Sequence, residues 1–368
     1  APSEILAITF TNKAAREMRE RVEKLLSTDR GLNKPISEFE RPFISTFHAL
    51  GVHILKENSR VLNIPRHFSI FDRSDSLGAI RDALKTVGLD PKQFEPSKML
   101  SAISREKNAG VSYATYAARE DKEYWNSLVA RVWAEYEKNL EAEKAFDFDD
   151  LLLCALALLE NHPEVLLHYQ NLWRYIHVDE YQDTNKVQYE LMKLLAARHR
   201  NICVVGDVDQ SIYSWRGADF RNLLRFEEDY PDATITTLEK NYRSTQTILA
   251  AANAVIVKNT LRKEKKLTTD NPLGEKISLY AGWSEEDEAQ FVVQTAASLI
   301  EDGNQPEEIA VLYRANFQSR VLEEAFLLSG IPYQVLGTRF FERREVKDIL
   351  SYLRAALNPD SLADLKRI

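Results

Sequence analysis

Tyr175-Ile176-His177-Val178-Asp179-Glu180-Tyr181-Gln182-Asp183 is a short apolar run that stops at two adjacent carboxylates. It reads as a buried strand. In an open α/β sheet ligands bind in the crevice outside the carboxyl ends of the strands, which is where Asp179 and Glu180 fall. Paired acids suit phosphoryl transfer, whose catalysis is mostly positioning and charge neutralisation. One carboxylate holds Mg²⁺, usually through water, and the other orients or deprotonates the attacking water. On this reading Asp179 serves the metal and Glu180 the water. A strand ending in a solvated acidic turn gives the same local pattern, so the flanking sequence has to decide.

The flanks alternate strand and helix. Upstream, Ile5 to Phe10 reads as a strand, Thr11-Asn12-Lys13 as a polar turn, and Ala14 to Leu26 as a helix with Met18, Val22 and Leu25 at helical spacing. Phe43-Ile44-Ser45-Thr46-Phe47-His48 leads more weakly into a second helix; its Thr-Phe-His turn suits either contact with a phosphate and a base or an N-cap with a packed aromatic. From about Phe68 to Pro163 helices take over. Leu77, Ile80, Leu84 and Val87 form one stripe, and Trp125, Leu128, Val132, Trp133 and Tyr136 another; both are predicted to be core and not a cofactor box. Phe146-Asp147-Phe148-Asp149-Asp150 precedes a Leu151 to Leu159 helix whose N-terminal dipole favours the acids. This block interrupts a β-α series and is predicted to be an inserted subdomain.

Downstream, a helix from Asn185 to about Arg198 leads to Ile202-Cys203-Val204-Val205, a second buried strand that ends in Gly206-Asp207-Val208-Asp209-Gln210. Ser211-Ile212-Tyr213-Ser214-Trp215-Arg216-Gly217-Ala218-Asp219 follows. Its Tyr, Trp and Arg among polar residues suggest base stacking with a phosphate contact, and stacking on an aromatic contributes roughly 1 to 3 kcal/mol per base. A core Trp with a surface Arg is the rival. Residues 234 to 258 read as strand, then Glu239-Lys240-Asn241-Tyr242-Arg243-Ser244, then an Ala-rich helix. Tyr242 offers a ring to a base and Arg243 a cation to a γ-phosphate. After an Asn271-Pro272 turn come a strand (Ile277 to Tyr280), a helix (Glu286 to Ile300), a strand (Ile309 to Tyr313) and another helix, so a second α/β domain starts near residue 232. The cluster Arg262-Lys263-Glu264-Lys265-Lys266 is expected as a solvated charged loop in preference to a phosphate contact.

At 368 residues the chain exceeds one ordinary core, since domains usually run about 100 to 200 residues, and predicts two or three domains. With 44% hydrophobic and 28% charged residues it has the composition of a soluble globular protein. A net charge of −8 gives no global nucleic-acid signature, but DNA binding depends on a local basic groove and not on the sum. Cys154 and Cys203, both inside apolar runs, suggest buried free thiols in a reducing compartment, with no disulfide or zinc spacing. The apolar run Leu151 to Leu159 is too short to span a bilayer and no signal peptide opens the chain, so a cytoplasmic location without membrane contact is expected.

Six stretches match one family in order: Ala7-Ile8-Thr9-Phe10-Thr11-Asn12-Lys13-Ala14-Ala15, Ser45-Thr46-Phe47-His48, Asp147-Phe148-Asp149-Asp150-Leu151, Asp179 to Asp183, Gly206 to Asp219, and Asn241-Tyr242-Arg243-Ser244. The chain closely resembles the UvrD/PcrA/Rep group of superfamily 1 DNA helicases over essentially its whole length. The resemblance implies an α/β fold of the RecA-like P-loop NTPase class, a parallel sheet with an inserted helical subdomain, and the first part of a second RecA-like domain. It divides the chain into a first domain (1–66 and 166–231), an insertion (67–165) and a second domain (232–368). The activity implied is ATP- and Mg²⁺-dependent movement 3′ to 5′ along single-stranded DNA with strand separation at duplex/single-strand junctions, in DNA repair or replication. Asp179 would hold Mg²⁺, Glu180 would activate water, Gln210 would contact the γ-phosphate, Arg243 would act as an arginine finger and Tyr242 would stack on adenine. Phe10, Thr11, Asn12, Thr46, Phe47, His48, Tyr213, Trp215 and Arg216 would line the single-strand path.

One expected part is absent. A Walker A loop, Gly-x-x-x-x-Gly-Lys-[Ser/Thr], cradles phosphates with its backbone amides and Lys, yet none of the twelve glycines is followed by Lys. The resemblance places that loop, with the adenine-reading glutamine segment, before Ile5, and later motifs, including a second arginine finger, beyond Ile368. The chain opens at Ala1 directly before a strand and ends just after a helix and the Asn358-Pro359-Asp360 turn. It reads as an internal fragment that turns over ATP poorly by itself. Two other functions compete: a non-catalytic single-stranded DNA-binding module, against which intact Asp179, Glu180, Gln210 and Arg243 argue, and the motor portion of a helicase-nuclease.

Overall fold

The computed structural model describes residues 1–29, 40–119, 123–260, 265–335, 344–358 and 360–367. They form two compact units, 1–236 with 259–264 and 351–368, and 237–258 with 265–350.

The first unit is built on a parallel sheet. Strands β1 (Ile5–Thr9), β2 (Phe43–Thr46), β5 (Tyr175–Val178) and β6 (Ile202–Val204) lie in the order β2-β1-β5-β6, with Ile8 opposite both Ser45 and Val178. Helix α1 (Asn12–Asp29) connects β1 to β2, and α9 (Lys186–Ala196) connects β5 to β6. Because the strands are parallel, the residues that follow each of them gather along one edge: Phe10 to Asn12, Phe47 and His48, Asp179 and Glu180, and Val205 to Gln210. The chain steps outward in opposite directions from β1 and from β5. The topological switch point therefore lies between Thr9 and Asp179, the place where open α/β sheets bind ligands.

Helices α2 (Phe47–Glu57), α7 (Phe148–Asn161), α8 (Pro163–Leu172) and α9 cover one sheet face, packing Leu50, Ile54, Leu152, Leu159, Leu191 and Met192 with Leu6, Ile8, Ile176 and Val178. Helices α2 and α7 approach so closely that a Cβ on Gly51 would lie 2.5 Å from the Leu151 carbonyl oxygen. The other face is open at β5 and β6, where Tyr175, His177 and Cys203 are exposed. This corrects two expectations: β5 and β6 are not fully buried, and Cys203 is an exposed thiol because it stands, like His177, on the face that the helices leave open. Cys154 is half-buried, and both cysteines are free.

Between β2 and β5 the chain forms α3 (Arg73–Thr86), α4 (Pro96–Asn108), α5 (Tyr113–Ala117) and α6 (Tyr124–Ala142). These helices share a second core of Phe71, Ile80, Leu84, Met99, Ile103, Val132, Trp133, Tyr136 and Ala145. A parallel pair, β3 (Ser69–Ile70) and β4 (Ala145–Phe146), closes its base. This separate core runs from Phe71 to Ala145, and the leucine-rich face of α7 packs on the sheet instead. Trp125, expected in the core, is exposed.

The second unit holds α10 (Gln246–Ile256), α11 (Glu285–Glu301) and α12 (Ser319–Leu328), with a small core of Val293, Ala296 and Phe326. The strands expected near 234–238, 277–280 and 309–313 do not form among the described residues; the backbone there runs without a ladder, apart from one bridge between Lys240 and Thr268. A strand exists through its hydrogen-bonded neighbours, and β-prone composition alone leaves Leu279 and Leu312 exposed. Residues 351–368 group with the first unit, where Asn358 Nδ2 donates to Ser69 Oγ at 3.0 Å and to the Glu143 carbonyl at 3.2 Å. Among the described residues no single helix is long and apolar enough to cross a membrane.

Candidate active site and nucleic-acid interface

The backbone after β5 is pinned on both sides. Asp179 N–H donates to the Ile8 carbonyl at 2.9 Å, extending the ladder with β1, and Tyr181 N–H donates to the Val205 carbonyl at 2.9 Å beside β6. Glu180, caught between them, has φ 52° and ψ 43°. That left-handed conformation costs a non-glycine residue about 1 to 2 kcal/mol and persists only where the surroundings enforce it.

Gln182, 1% exposed, then joins two polar clusters. Its Nε2 donates to Glu180 Oε2 at 2.7 Å, and its Oε1 accepts from Asp207 N–H at 2.9 Å. Asp207 Oδ2 in turn accepts from Gln210 Nε2 at 2.8 Å. Glu180, Gln182, Asp207 and Gln210 thus form one hydrogen-bonded chain across the ends of β5 and β6. Gly206 leaves room for this approach: a Cβ there would lie 2.9 Å from Gln182 Oε1 and would displace the amide. Sequence reasoning gave Gln182 no role; its only signal was an amide set between the acids of the stretch that opens the reading.

The acids are short of positive charge. Burial, and after it the Glu180 charge, raises the Asp179 carboxyl above its usual range, against a lowering contact from the Glu180 N–H. Burial and Glu180 push Asp183 up to about 6 against a lowering contact from Ile212 N–H, and Asp183 Oδ1 has no hydrogen-bond partner. No Lys, Arg or His among the described residues forms an ion pair with Asp179, Glu180 or Asp183, and no group of three or more His, Cys, Asp or Glu side chains could hold a metal unaided. Too many uncompensated acids for a resting site and too few ligands for a closed cage fit Mg²⁺, which keeps several waters and binds through one or two carboxylates plus substrate phosphates.

The same sheet edge gathers aromatics. Phe10 stacks on Tyr213, with ring centroids 4.9 Å apart at 27°, and Tyr213 lies 6.3 Å from Trp215. Trp215 is 66% exposed in a 3-10 turn, Ser214–Arg216, which weighs against the core reading. Arg216 belongs to that turn; its side chain is outside the described residues. Thr11 and Asn12 are exposed, and Thr11 Oγ1 accepts from Ala14 N–H at 3.1 Å at the start of α1. Thr46 caps α2, its Oγ1 accepting from Ala49 N–H at 3.4 Å. His48 is half-buried edge-on to Phe148 at 5.6 Å, and burial lowers its pKa, leaving it neutral near pH 7. Phe47 corrects the sequence expectation. It is 3% exposed in the sheet core, which leaves it no face for a base and makes it the packed aromatic behind an N-cap.

In the second unit Asn241 Oδ1 accepts from Arg243 N–H at 3.0 Å and Ser244 N–H at 2.8 Å, and Asn271 Nδ2 donates to the Ser244 carbonyl at 3.0 Å. This tight turn presents Tyr242, 78% exposed, and Arg243 to solvent. Of the expected basic cluster, Arg262 to Glu264 lie outside the described residues.

Residues 1–231 match the UvrD/REP helicase N-terminal domain, and residues 236–368 match the UvrD-like helicase C-terminal domain. The chain is 48% identical over 369 aligned positions to proteins named ATP-dependent DNA helicase PcrA from Staphylococcus aureus and Staphylococcus epidermidis, each alignment covering 100% of this chain and 49% of the relative. The chain spans about half the length of the curated relatives it matches. With a parallel sheet whose strand ends carry paired acids and an aromatic run, and with both halves matched over nearly every residue, the chain belongs to the UvrD/REP helicase family.

Proposed function

We propose that the protein is an ATP-dependent DNA helicase and translocase that moves 3′ to 5′ on single-stranded DNA and separates strands at duplex/single-strand junctions. The observation that carries this reading is the hydrogen-bonded chain Glu180–Gln182–Asp207–Gln210, which lies at the same sheet edge as the Phe10–Tyr213–Trp215 aromatic run. Bound MgATP supplies the phosphoryl group whose hydrolysis drives movement. Asp179 takes the metal, as a half-buried carboxylate at the end of β5 with no ion-pair partner among the described residues. Glu180 positions or deprotonates the attacking water, with its carboxylate oriented by Gln182. Gln210 reports the γ-phosphate, and Asp207 holds its amide. In the second unit Tyr242 offers a ring to the adenine and Arg243 a cation to the developing phosphoryl charge. Trp215, Tyr213 and Phe10 receive bases, while Thr11, Asn12, Thr46, His48 and Arg216 contact the strand beside them. A site with all four polar groups intact disfavours the non-catalytic module.

The test is Glu180→Gln in the full-length protein. Nucleotide and DNA binding should persist while DNA-stimulated ATP turnover falls about 10²- to 10⁴-fold, the usual loss for a positioned base. Near-wild-type turnover would remove Glu180 from the mechanism. Polarity is read by comparing unwinding of duplexes with a 3′ or a 5′ single-stranded tail; preference for the 5′ tail would reverse the proposed direction. The 368-residue stretch by itself, which has no Walker A loop, is expected to be a poor ATPase. Turnover above about 1 s⁻¹, the low end of ordinary enzyme rates, would contradict that.

A further inference from the structure

Lys107, near the end of α4, is 1% exposed. Its Nζ lies 2.6 Å from Asp150 Oδ1, 2.9 Å from Asp147 Oδ2 and 3.2 Å from Glu137 Oε1. The Tyr136 hydroxyl donates to Asp147 Oδ2 at 3.0 Å, and Asp147 Oδ1 caps α7 by accepting from Asp150 N–H at 2.8 Å. A buried ammonium ringed by carboxylates is strongly destabilised if any partner leaves, so this cluster fastens the end of α4 to the start of α7. Asn108 is the next residue, standing on that fixed support.

Asn108 faces three elements at once. Its Nδ2 donates to Asp149 Oδ1 on α7 at 2.8 Å and to the Ser104 carbonyl at 2.7 Å. Its Oδ1 accepts from Asn185 Nδ2. Gly217, which closes the Trp215 turn with φ 83°, packs so near that a Cβ on it would lie 3.3 Å from Asn108 Cβ. Asn185 belongs to the segment that follows the paired acids. It caps α9 by accepting from Gln188 N–H at 2.9 Å, and the neighbouring Thr184 carbonyl accepts from Asp219 N–H at 3.0 Å and Asn222 Nδ2 at 2.9 Å. The Asn108 amide orientation is fixed by its neighbours, because the opposite flip would set its carbonyl against the Asp149 carboxylate.

We propose that Asn108 is a positioning residue that couples DNA on the Trp215 turn to hydrolysis at the Asp179–Glu180 segment. It does so by holding Gly217 and Asn185 in register against the inserted helices. This rests on the function proposed above. A base seated on Trp215 shifts the turn that ends at Gly217; Gly217 bears on Asn108, whose support on α4 and α7 is rigid. Asn108 does not yield, so the position of the turn is fixed through Oδ1 relative to Asn185, and from there relative to the backbone that leads back to Asp183 and Glu180. A neutral amide suits this place because it donates toward Asp149 and accepts from Asn185 at the same time, which neither an acid nor an aliphatic side chain does.

The experiment uses the full-length protein and two variants. Asn108→Ala removes the bridge. Asn185→Asp keeps a side-chain oxygen for the α9 cap but has no donor for Asn108. Steady-state ATP turnover is measured with and without oligo-dT, with the ATP KM, oligo-dT affinity and thermal midpoint alongside. DNA-stimulated turnover should fall about 3- to 10-fold in each variant, the effect of one lost hydrogen bond. DNA-free turnover, KM and oligo-dT affinity should stay within about twofold, and the double variant should be no worse than the worse single one, because both changes cut the same bond. Wild-type stimulation in both variants, a uniform fall of basal and stimulated turnover that follows the thermal midpoint, or additive losses in the double variant would each overturn the proposal. Absence of DNA stimulation in the wild-type protein would instead defeat the proposed function, and this inference with it.

Discussion

Gln182→Glu isolates one atom of the hydrogen-bonded chain at the carboxylate site. The replacement is nearly isosteric and keeps an oxygen for Asp207 N–H, which Gln182 Oε1 now accepts at 2.9 Å. It exchanges the amide that donates to Glu180 Oε2 at 2.7 Å for a second anionic oxygen. A hydrogen bond to a charged group is worth about 1.5 to 3 kcal/mol. Two like charges about 4 Å apart at an effective dielectric of about 20 add a repulsion of roughly 4 kcal/mol, which the site relieves by moving Glu180 or binding a proton. Counting only the lost hydrogen bond, ATP turnover at saturating single-stranded DNA should fall about 10- to 100-fold, since each 1.36 kcal/mol is a factor of ten. Gln182→Ala is the contrasting change. It adds no charge but strands the Asp207 N–H, which should lower stability by about 1 to 3 kcal/mol relative to wild type. Steady-state turnover and thermal unfolding of the full-length variants measure both effects. A Glu variant that turns over ATP within about twofold of wild type at an unchanged midpoint would show that Gln182 does not orient Glu180, and the account of the site would lose its central link.

Three further outcomes follow from the same geometry. Trp215→Ala should weaken single-stranded DNA binding by about 1 to 3 kcal/mol with little sequence preference and an unchanged thermal midpoint; a large stability loss at full affinity would make Trp215 a packing residue. Lys107→Ala should destabilise the first unit by about 3 to 5 kcal/mol in denaturant titration, because Asp147 and Asp150 are left buried without their cation; a loss below about 1 kcal/mol would show the cluster to be solvated. Asp149 is pushed up to about 6, first by burial and then by the Asp147 charge. The folded chain thus holds that proton more tightly than the unfolded one, whose carboxyl titrates near 3.9, and the associated stability, full only below about pH 4, is lost as pH rises from there through about 6. Asp149→Asn should therefore gain on wild type in thermal midpoint across that window and hold the gain above it; parallel curves for the two proteins would refute the assignment.

The sequence by itself determined what depends on neighbours a few residues apart. The β5 run, the helix that follows Phe146 to Asp150, and the stripe residues Ile80 and Leu84 on one helix and Val132, Trp133 and Tyr136 on another follow from local periodicity. Parallel connection of those units was enough to place Asp179, Glu180 and Gln210 at one sheet edge. Tertiary structure alone decided the rest, because the forces involved join residues far apart in the chain. Cys203 is exposed because it stands on the sheet face that the helices leave open, which its apolar neighbours do not reveal. Phe47 turns inward because α2 packs against the sheet. Ile277 to Tyr280 and Ile309 to Tyr313 have strand composition but no ladder partner among the described residues, and composition cannot supply one. Gln182 acquires its role from Asp207, 25 residues away, and Asn108 from Asn185, 77 residues away. Neither side chain carries a local signal, since a buried amide is defined by the donors and acceptors that the fold brings to it.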